Sequence, residues 1–251
     1  MAIRLKNPAE IESMRRSGKI LADVLDLMEK QAVVGITPKE LAAAAAAHLK
    51  EVGAKPSFLG FHGYPEVICI SVNDQVQHSI PDKRPLEEGD VVNFDFGVTY
   101  EGMITDSGRT VIIGEAKNSR DLELVRGTKE ALDAAAVILK PGIKIGDISA
   151  TIEKVLKKYR LGIVRELVGH GVGFELHEDP EIPNYGKAGR GVVLQPNMTI
   201  AIEPIAISGS ADIYMDRDGW TIRSWDGSNS AQFEHTFLIT EHGSEILTTN
   251  K

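Results

Sequence analysis

The spacing of hydrophobic positions along this chain changes period several times, and each change marks an element. Ile11, Met14, Leu21, Val24, Leu25 and Met28 recur at helical intervals, which predicts an amphipathic helix to about Glu29. Asn7-Pro8-Ala9-Glu10 writes its start: an N-cap, a proline at the first helical position and a glutamate that closes a capping box. Thr37-Pro38-Lys39-Glu40 repeats that signal ahead of an alanine-rich helix that stops near Gly53. Val67 to Val72 reads as a short buried strand. Leu122 to Leu139 predicts a third helix, ended by Pro141-Gly142, and Asp147 to Tyr159 a fourth. From Leu161 onward Gly, His and Pro punctuate β-type segments: GIVRELVGHGVGFELHEDP, VVLQPNMTIAIEPIAI and AQFEHTFLIT.

Between the second and third helices the period drops to two. VVNFDFGV and MITDSGRTVII read as strands of one hairpin, turned at Tyr100-Glu101-Gly102, and each carries one aspartate in apolar surroundings, Asp95 and Asp106. A loop of Tyr100-Glu101 would set the two acids directly opposite, and a loop of Glu101-Gly102 would make them diagonal neighbours. In either register they share a face, roughly 4.5 to 8 Å apart at Cβ. An odd-length loop would separate them. Like charges paired on a sheet are destabilising unless compensated, and the usual compensator is a cation.

The order helix, helix, strands, hairpin is followed by helix, helix, strands, which suggests an internal duplication of roughly 1-115 and 116-251 within a single domain, 1-251. FHG at Phe61 to Gly63 recurs as GHG at Gly169 to Gly171, aligning His62 with His170. LEEGDVVNFDF from Leu86 recurs as LQPNMTIAIEP from Leu194, aligning Asp95 with Glu203, and Glu234 is a counterpart for Asp106. Stacking two such halves would bring four carboxylates and one or two imidazoles to a shared axis. The candidate constellation is therefore Asp95, Asp106, His170, Glu203 and Glu234. Its charge of about -4 would be neutralised by two divalent ions, and buried without them it would cost heavily or force protonation. Oxygen ligands with one imidazole suit Mn, Fe, Co or Zn. Two ions roughly 3.5–4 Å apart form the usual two-metal hydrolytic arrangement.

Composition narrows the partners. A net charge of -8 leaves no electrostatic footprint for nucleic acid. One cysteine, Cys69, excludes an intrachain disulfide and fits a reducing compartment. The charged N-terminal stretch lacks the apolar core of a signal peptide, and no run approaches the ~20 apolar residues of a membrane span. The expectation is a soluble, cytoplasmic α/β protein.

Read together and in order, YPEVICISVNDQVQHSIP, VNFDFGV with ITDSGRT, GHGVGFELHEDPEIPNY, IAIEP, DGWTIRSWDGS and SAQFEHT resemble the type I methionine aminopeptidases over nearly the whole chain. The resemblance implies the pita-bread fold, two pseudo-symmetric halves with a central antiparallel sheet covered by helices. It implies a metal-dependent enzyme that removes the initiator methionine from nascent polypeptides when the second residue is small, with two divalent ions per chain (Co, Mn, Fe, Zn or Ni). By the resemblance, Asp95 binds one metal, Asp106 and Glu234 bridge, and His170 and Glu203 bind the other, with Glu203 also accepting the proton. His78 and His177 match the substrate-contacting histidines. Tyr64, Cys69 and Trp220 match positions lining the methionine pocket, with Phe58, Phe61 and Leu176 also implied, and His62 lies beside the site in either a substrate-contacting or a supporting position. Asn73 and Ser230 match a monovalent-cation site. Phe58 and Phe174 depart from the cysteine and arginine common in relatives. The implied partners are peptide and nascent-chain N-termini, with a transient ribosome contact, and the chain is expected to act as a monomer. Two alternatives share the fold: an Xaa-Pro aminopeptidase or prolidase, whose members usually carry an extra N-terminal domain and lack the QFEHT form, and a non-catalytic binding module.

Overall fold

The structure, a computed structural model, describes residues 3–250, so the outermost ends of the expected 1–251 domain lie outside the described residues. The first two helices begin where their capping signals stand. In α1 (Pro8–Gln31) the Asn7 side-chain oxygen accepts from the N–H groups of Ala9 and Glu10, and Glu10 accepts from the Asn7 N–H. In α2 (Pro38–Val52) Thr37 and Glu40 make the same reciprocal pair, and Gly53 ends the helix in the left-handed region. The other two helices start earlier than their apolar periodicity predicts. α3 spans Ser119–Ile138, because the Asn118 side chain accepts from the Asp121 N–H at 2.9 Å. α4 spans Ile145–Lys158, with Asp147 at its third position accepting from the Lys144 N–H.

Every strand pairing among the described residues is antiparallel, and the strands fall into four hydrogen-bonded sheets. In the first, Val91–Tyr100 and Met103–Ile112 form the hairpin, and Cys69–Val72 runs along the other edge of Val91–Tyr100. In the largest, Thr199–Ile202 lies between His235–Ile239 and Gly169–Gly171.

Strand alternation decides what each sheet face carries. Phe94 and Phe96 pack with Leu21, Leu25, Met28, Leu41 and Leu49 beneath α1 and α2, so Asp95 between them points away from the helices. Ile200, Ile202 and Phe237 pack with Leu124, Leu132, Ile148 and Ile152 beneath α3 and α4. Burying each such side chain contributes about 1.5–3 kcal/mol. The helix pairs thus cover the outer faces, and the polar faces of the two sheets are left toward one another. Direct bonds join them. Gly108 and Glu234 exchange backbone hydrogen bonds of 2.8 and 3.3 Å, and the Asp106 N–H donates to Thr236 Oγ1, which donates to the Asp106 carbonyl.

No helix of the described residues is long and apolar enough to cross a membrane. Several short strands carry no clear period in the sequence, among them Gln75–Gln77, Ile213–Met215, Ile222–Ser224 and Ser244–Ile246.

Candidate metal centre and its cavity

The hairpin closes on a two-residue turn, Glu101-Gly102, both with positive φ (48° and 80°), and Tyr100 pairs with Met103. Asp95 therefore faces Gly108 and Asp106 faces Gly97, so the two acids are diagonal neighbours on one face. In the second half Ile202 faces His235, and the residues just beyond that pair, Glu203 and Glu234, lie at the end of the ladder. His170, on the strand alongside, faces Ala201.

These five side chains meet. Asp95, Asp106 and Glu234 offer ligand atoms that all lie within 4.8 Å of one another, and so do His170, Glu203 and Glu234. Glu234 belongs to both groups. A third set of the same compactness joins Asp106, His170 and His177. All five are buried, and among the described residues no lysine or arginine is ion-paired with their carboxylates. Among the described residues the one charged-type contact to these carboxylates is His170 Nε2 to Glu203 Oε1 at 3.6 Å. Gln232 supplies the neutral support: its Nε2 donates to Glu234 Oε2 at 3.1 Å and to Glu203 Oε2 at 3.4 Å. Glu234 Oε1 is buried without a hydrogen-bond partner.

The electrostatics follow from burial. Desolvation first, then the charge of Asp106, raises the Asp95 carboxyl well above its usual range. Desolvation lifts Asp106 to about 7, partly offset by the Ser107 N–H that its Oδ1 accepts. Glu203 and Glu234 are pushed up by burial and by their acidic neighbours. His170 is driven down to about 3, chiefly by burial and then by His177. Its Nδ1–H donates to the Gly171 carbonyl at 3.0 Å, which fixes the tautomer and leaves Nε2 free as a ligand. Four packed carboxylates, one orphaned carboxylate oxygen and a neutral imidazole with its Nε2 turned to the acids fit divalent cations.

Above this floor lies a cavity of about 210 Å³. Phe58, Tyr64, Cys69 and Leu176 form a buried apolar cluster on one side, and Phe61 and Trp220 pack against it. Tyr64 is held by its hydroxyl donating to the Ile68 and Ser79 carbonyls and lies edge-on to Trp220, 5.2 Å between ring centroids. Cys69, opposite Asp95 in its strand, has its thiol pushed up by burial, which makes it a poor nucleophile. His62, His78 and His177 complete the lining. His177 stacks edge-on against His170 (4.3 Å) and Phe61 (5.3 Å). Burial, then His78 and His62, lowers His177 to about 4, and burial lowers His78.

Asn73 and Ser230 lie outside the cavity lining. The Ser230 N–H donates to the Asn73 carbonyl, and its hydroxyl donates to the carbonyls of Asn73 and Gln75. The Asn73 side chain is engaged with Asp90 and the Val91 N–H. Phe58 touches the face of Gly97, and Phe174 is capped by the Arg4 guanidinium at 3.5 Å. His235 turns away from Glu234 to Thr248, 2.9 Å from its Nδ1.

Sequence reasoning missed Gln232, Gln77 and the pocket neighbours Ile80 and Ile104. Gln232 was within reach, since it stands two residues before Glu234 and so shares its face. Ile80 and Ile104 are ordinary apolar residues whose place depends on tertiary packing.

Comparison with known proteins agrees with this geometry. The profile of metallopeptidase family M24 matches residues 12–241. The buried acid cluster and the fold around it therefore define a metallopeptidase, and the chain belongs to family M24. Within that family its place is among the methionine aminopeptidases. The methionine aminopeptidase of Mycoplasma capricolum is 42% identical over 246 residues, covering 98% of each chain. The crystal structure of methionine aminopeptidase from Thermotoga maritima is 45% identical with a TM-score of 0.97, covering 99% of this chain and 100% of that one. The prolidase from Pyrococcus furiosus matches with a TM-score of 0.80 at 26% identity, but this chain covers only 66% of it. These proteins share the pita-bread fold, and the prolidase carries further chain beyond it.

Proposed function

We propose that the protein removes N-terminal methionine from nascent polypeptides whose second residue is small, with two divalent ions (Co, Mn, Fe, Zn or Ni) held by Asp95, Asp106, His170, Glu203 and Glu234. The observation that carries this reading is the meeting of five uncompensated ligand side chains on the floor of an apolar cavity. Asp95, Asp106 and Glu234 would hold one ion, and His170 and Glu203, with Asp106 and Glu234 as bridges, the other. When bound, such a pair neutralises the carboxylates, polarises the scissile carbonyl and makes water acidic enough to attack at neutral pH.

The remaining steps fall to side chains. The unbranched thioether fits among Phe58, Phe61, Tyr64, Cys69, Leu176 and Trp220, whose soft and aromatic walls suit sulfur. Glu203, on the cavity floor where the two cavities meet, takes the proton released on attack and passes it to the leaving amine. His177, neutral at pH 7, donates to the carbonyl oxygen as it becomes tetrahedral. His78, whose neutral form burial favours, and His62 line the same cavity and orient the substrate. Asn73 and Ser230, joined where the Ser230 hydroxyl meets the Asn73 carbonyl, would hold a monovalent cation.

Two related halves, 1-115 and 116-251, within a single catalytic domain are supported by the repeated order of two helices followed by antiparallel strands. The proposed setting is the cytoplasm, with a monomer meeting nascent chains at a transient ribosome contact.

The test is a peptide panel. The metal-loaded enzyme should release methionine from Met-Ala-Ser and not from Met-Leu-Ser, lose activity on chelation, and regain it with Mn, Co or Fe. Activity that survives chelation and dialysis, or a preference for proline in second place above all others, would overturn the reading.

A further inference from the structure

A second cavity, of about 330 Å³, shares His78, His170, His177 and Glu203 with the first. The shared residues are those assigned above to the reacting bond. If the methionine side chain fills the apolar cavity, the chain beyond the scissile bond must leave through the second one. This inference rests on that proposed function. The two cavities differ in chemistry. The second is lined by Glu166, Glu178, Asp179 and Glu181, and by no lysine or arginine among the described residues.

Not all of this charge is free. Glu178 is paired with the buried Lys6 at 2.6 Å and accepts from the N–H groups of Phe174 and Glu175. Glu166 and Glu181 are exposed and, among the described residues, have no cation within ion-pair distance. A separate feature of the lining is neutral and polar. Gln77 is 1% exposed, lines this cavity next to His78, and its Oε1 has no hydrogen-bond partner. A buried amide oxygen without a donor suits a backbone N–H that arrives with the ligand.

We infer that this groove binds the third and following residues of the substrate, with Gln77 Oε1 accepting a backbone N–H and Glu166 and Glu181 selecting lysine or arginine there over acidic residues. Carboxylates on a concave rim raise the local concentration of cationic ligands and repel anionic ones, and salt screens both effects.

The test uses the metal-loaded full chain and three peptides: Met-Ala-Lys-Lys, Met-Ala-Glu-Glu and Met-Ala-Ser-Ser. At low ionic strength kcat/KM for the lysine peptide should exceed that for the glutamate peptide by at least about fivefold, falling below about twofold in 0.5 M salt. The double variant E166Q/E181Q should lose the preference while cleaving Met-Ala-Ser-Ser within about twofold of the parent. A readout without turnover is calorimetric binding of Ala-Lys-Lys and Ala-Glu-Glu, which should differ in the parent and not in the variant. Equal rates for the charged peptides in the parent, or an unchanged preference in E166Q/E181Q, would overturn the groove assignment. Failure to cleave Met-Ala-Ser-Ser at all would instead count against the proposed function.

Discussion

Asp95 and Asp106 are diagonal neighbours across the hairpin, and each stands opposite a glycine, Gly108 and Gly97. The glycines keep the space beside the acids for other groups. A Cβ on Gly97 would fall 2.8 Å from the Phe58 ring, and one on Gly108 would fall 2.4 Å from Gln232 Oε1. One glycine thus admits the pocket wall, and the other admits the amide that donates to Glu203 and Glu234.

Gly108→Ala should therefore act on the proposed metal centre without touching any of its proposed ligands. Gln232 would have to shift, at a cost of about 1–3 kcal/mol for an overpacked site. Metal affinity is expected to fall about 10- to 100-fold, the range for losing a group that orients ligands. Titration with a competing chelator, followed by metal analysis, checks this. Unchanged metal retention would show that the Gln232 contacts are incidental.

Asp106→Asn should separate stability from activity. The carboxylate proposed to bridge the two ions is lost, so kcat/KM should drop at least about 10³-fold, roughly 4 kcal/mol of transition-state stabilisation. The metal-free variant should nevertheless be more stable than the metal-free parent at pH 8, because a buried carboxyl held up at about 7 has become neutral. The gain is on the order of a few kcal/mol. Thermal melts of both proteins in chelator give the sign directly.

The same groups set the pH dependence of the metal-free protein. A carboxyl with a raised folded pKa binds more protons folded than unfolded, so its favourable contribution is full below the unfolded value of roughly 4 and is lost as pH rises through the folded one. For Asp106 that loss is complete just above about 7, and Asp95, Glu203 and Glu234, raised well above their usual range by burial and by their acidic neighbours, act in the same sense. His170, His177 and His235, lowered to about 3, 4 and 4, act in the opposite sense: their contribution is present above roughly 6.5 and is lost as pH falls toward the folded values. Above about pH 7.5 these histidines are neutral in both states and the carboxylates alone set the trend. The melting temperature in chelator should fall as pH rises through that range, while the stabilisation from added metal grows. A melting temperature in chelator that rises over the same range would contradict the raised carboxyl pKa values.

Much of this was legible in the sequence, for identifiable reasons. The first two helices start where the sequence predicts because Asn7 with Glu10 and Thr37 with Glu40 cap through side chains close in sequence, and the first runs two residues past Glu29 to Gln31. The third began early because Asn118, not an apolar residue, sets its start. The hairpin left two registers open, and the positive φ of Glu101 decided between them, a conformation that few residues other than glycine advertise. Gln77 and Glu181 could not be found beforehand, since the second cavity exists only where Gln75–Gln77, Glu178–Ile182 and the segment around Glu166 converge. Such short strands owe their pairing to neighbours rather than to any period of their own.

His177 sharpens the division between ligand and substrate contact. Its ring reaches a compact group with Asp106 and His170, so proximity alone would allow it to bind metal. Two features favour the substrate role. Asp106 already shares two carboxylate neighbours, and the His177 ring packs edge-on to Phe61 on the cavity wall. His177→Ala should then retain the full metal complement while kcat falls about 10²- to 10³-fold, the loss expected on removing a donor to the developing oxyanion, with KM for Met-Ala-Ser little changed. Because His177 is neutral above about 4, kcat of the parent should show no inflection from this residue between pH 6 and 8. Loss of metal from the variant would make His177 a ligand instead. Metal analysis and steady-state kinetics on the same preparation separate the two.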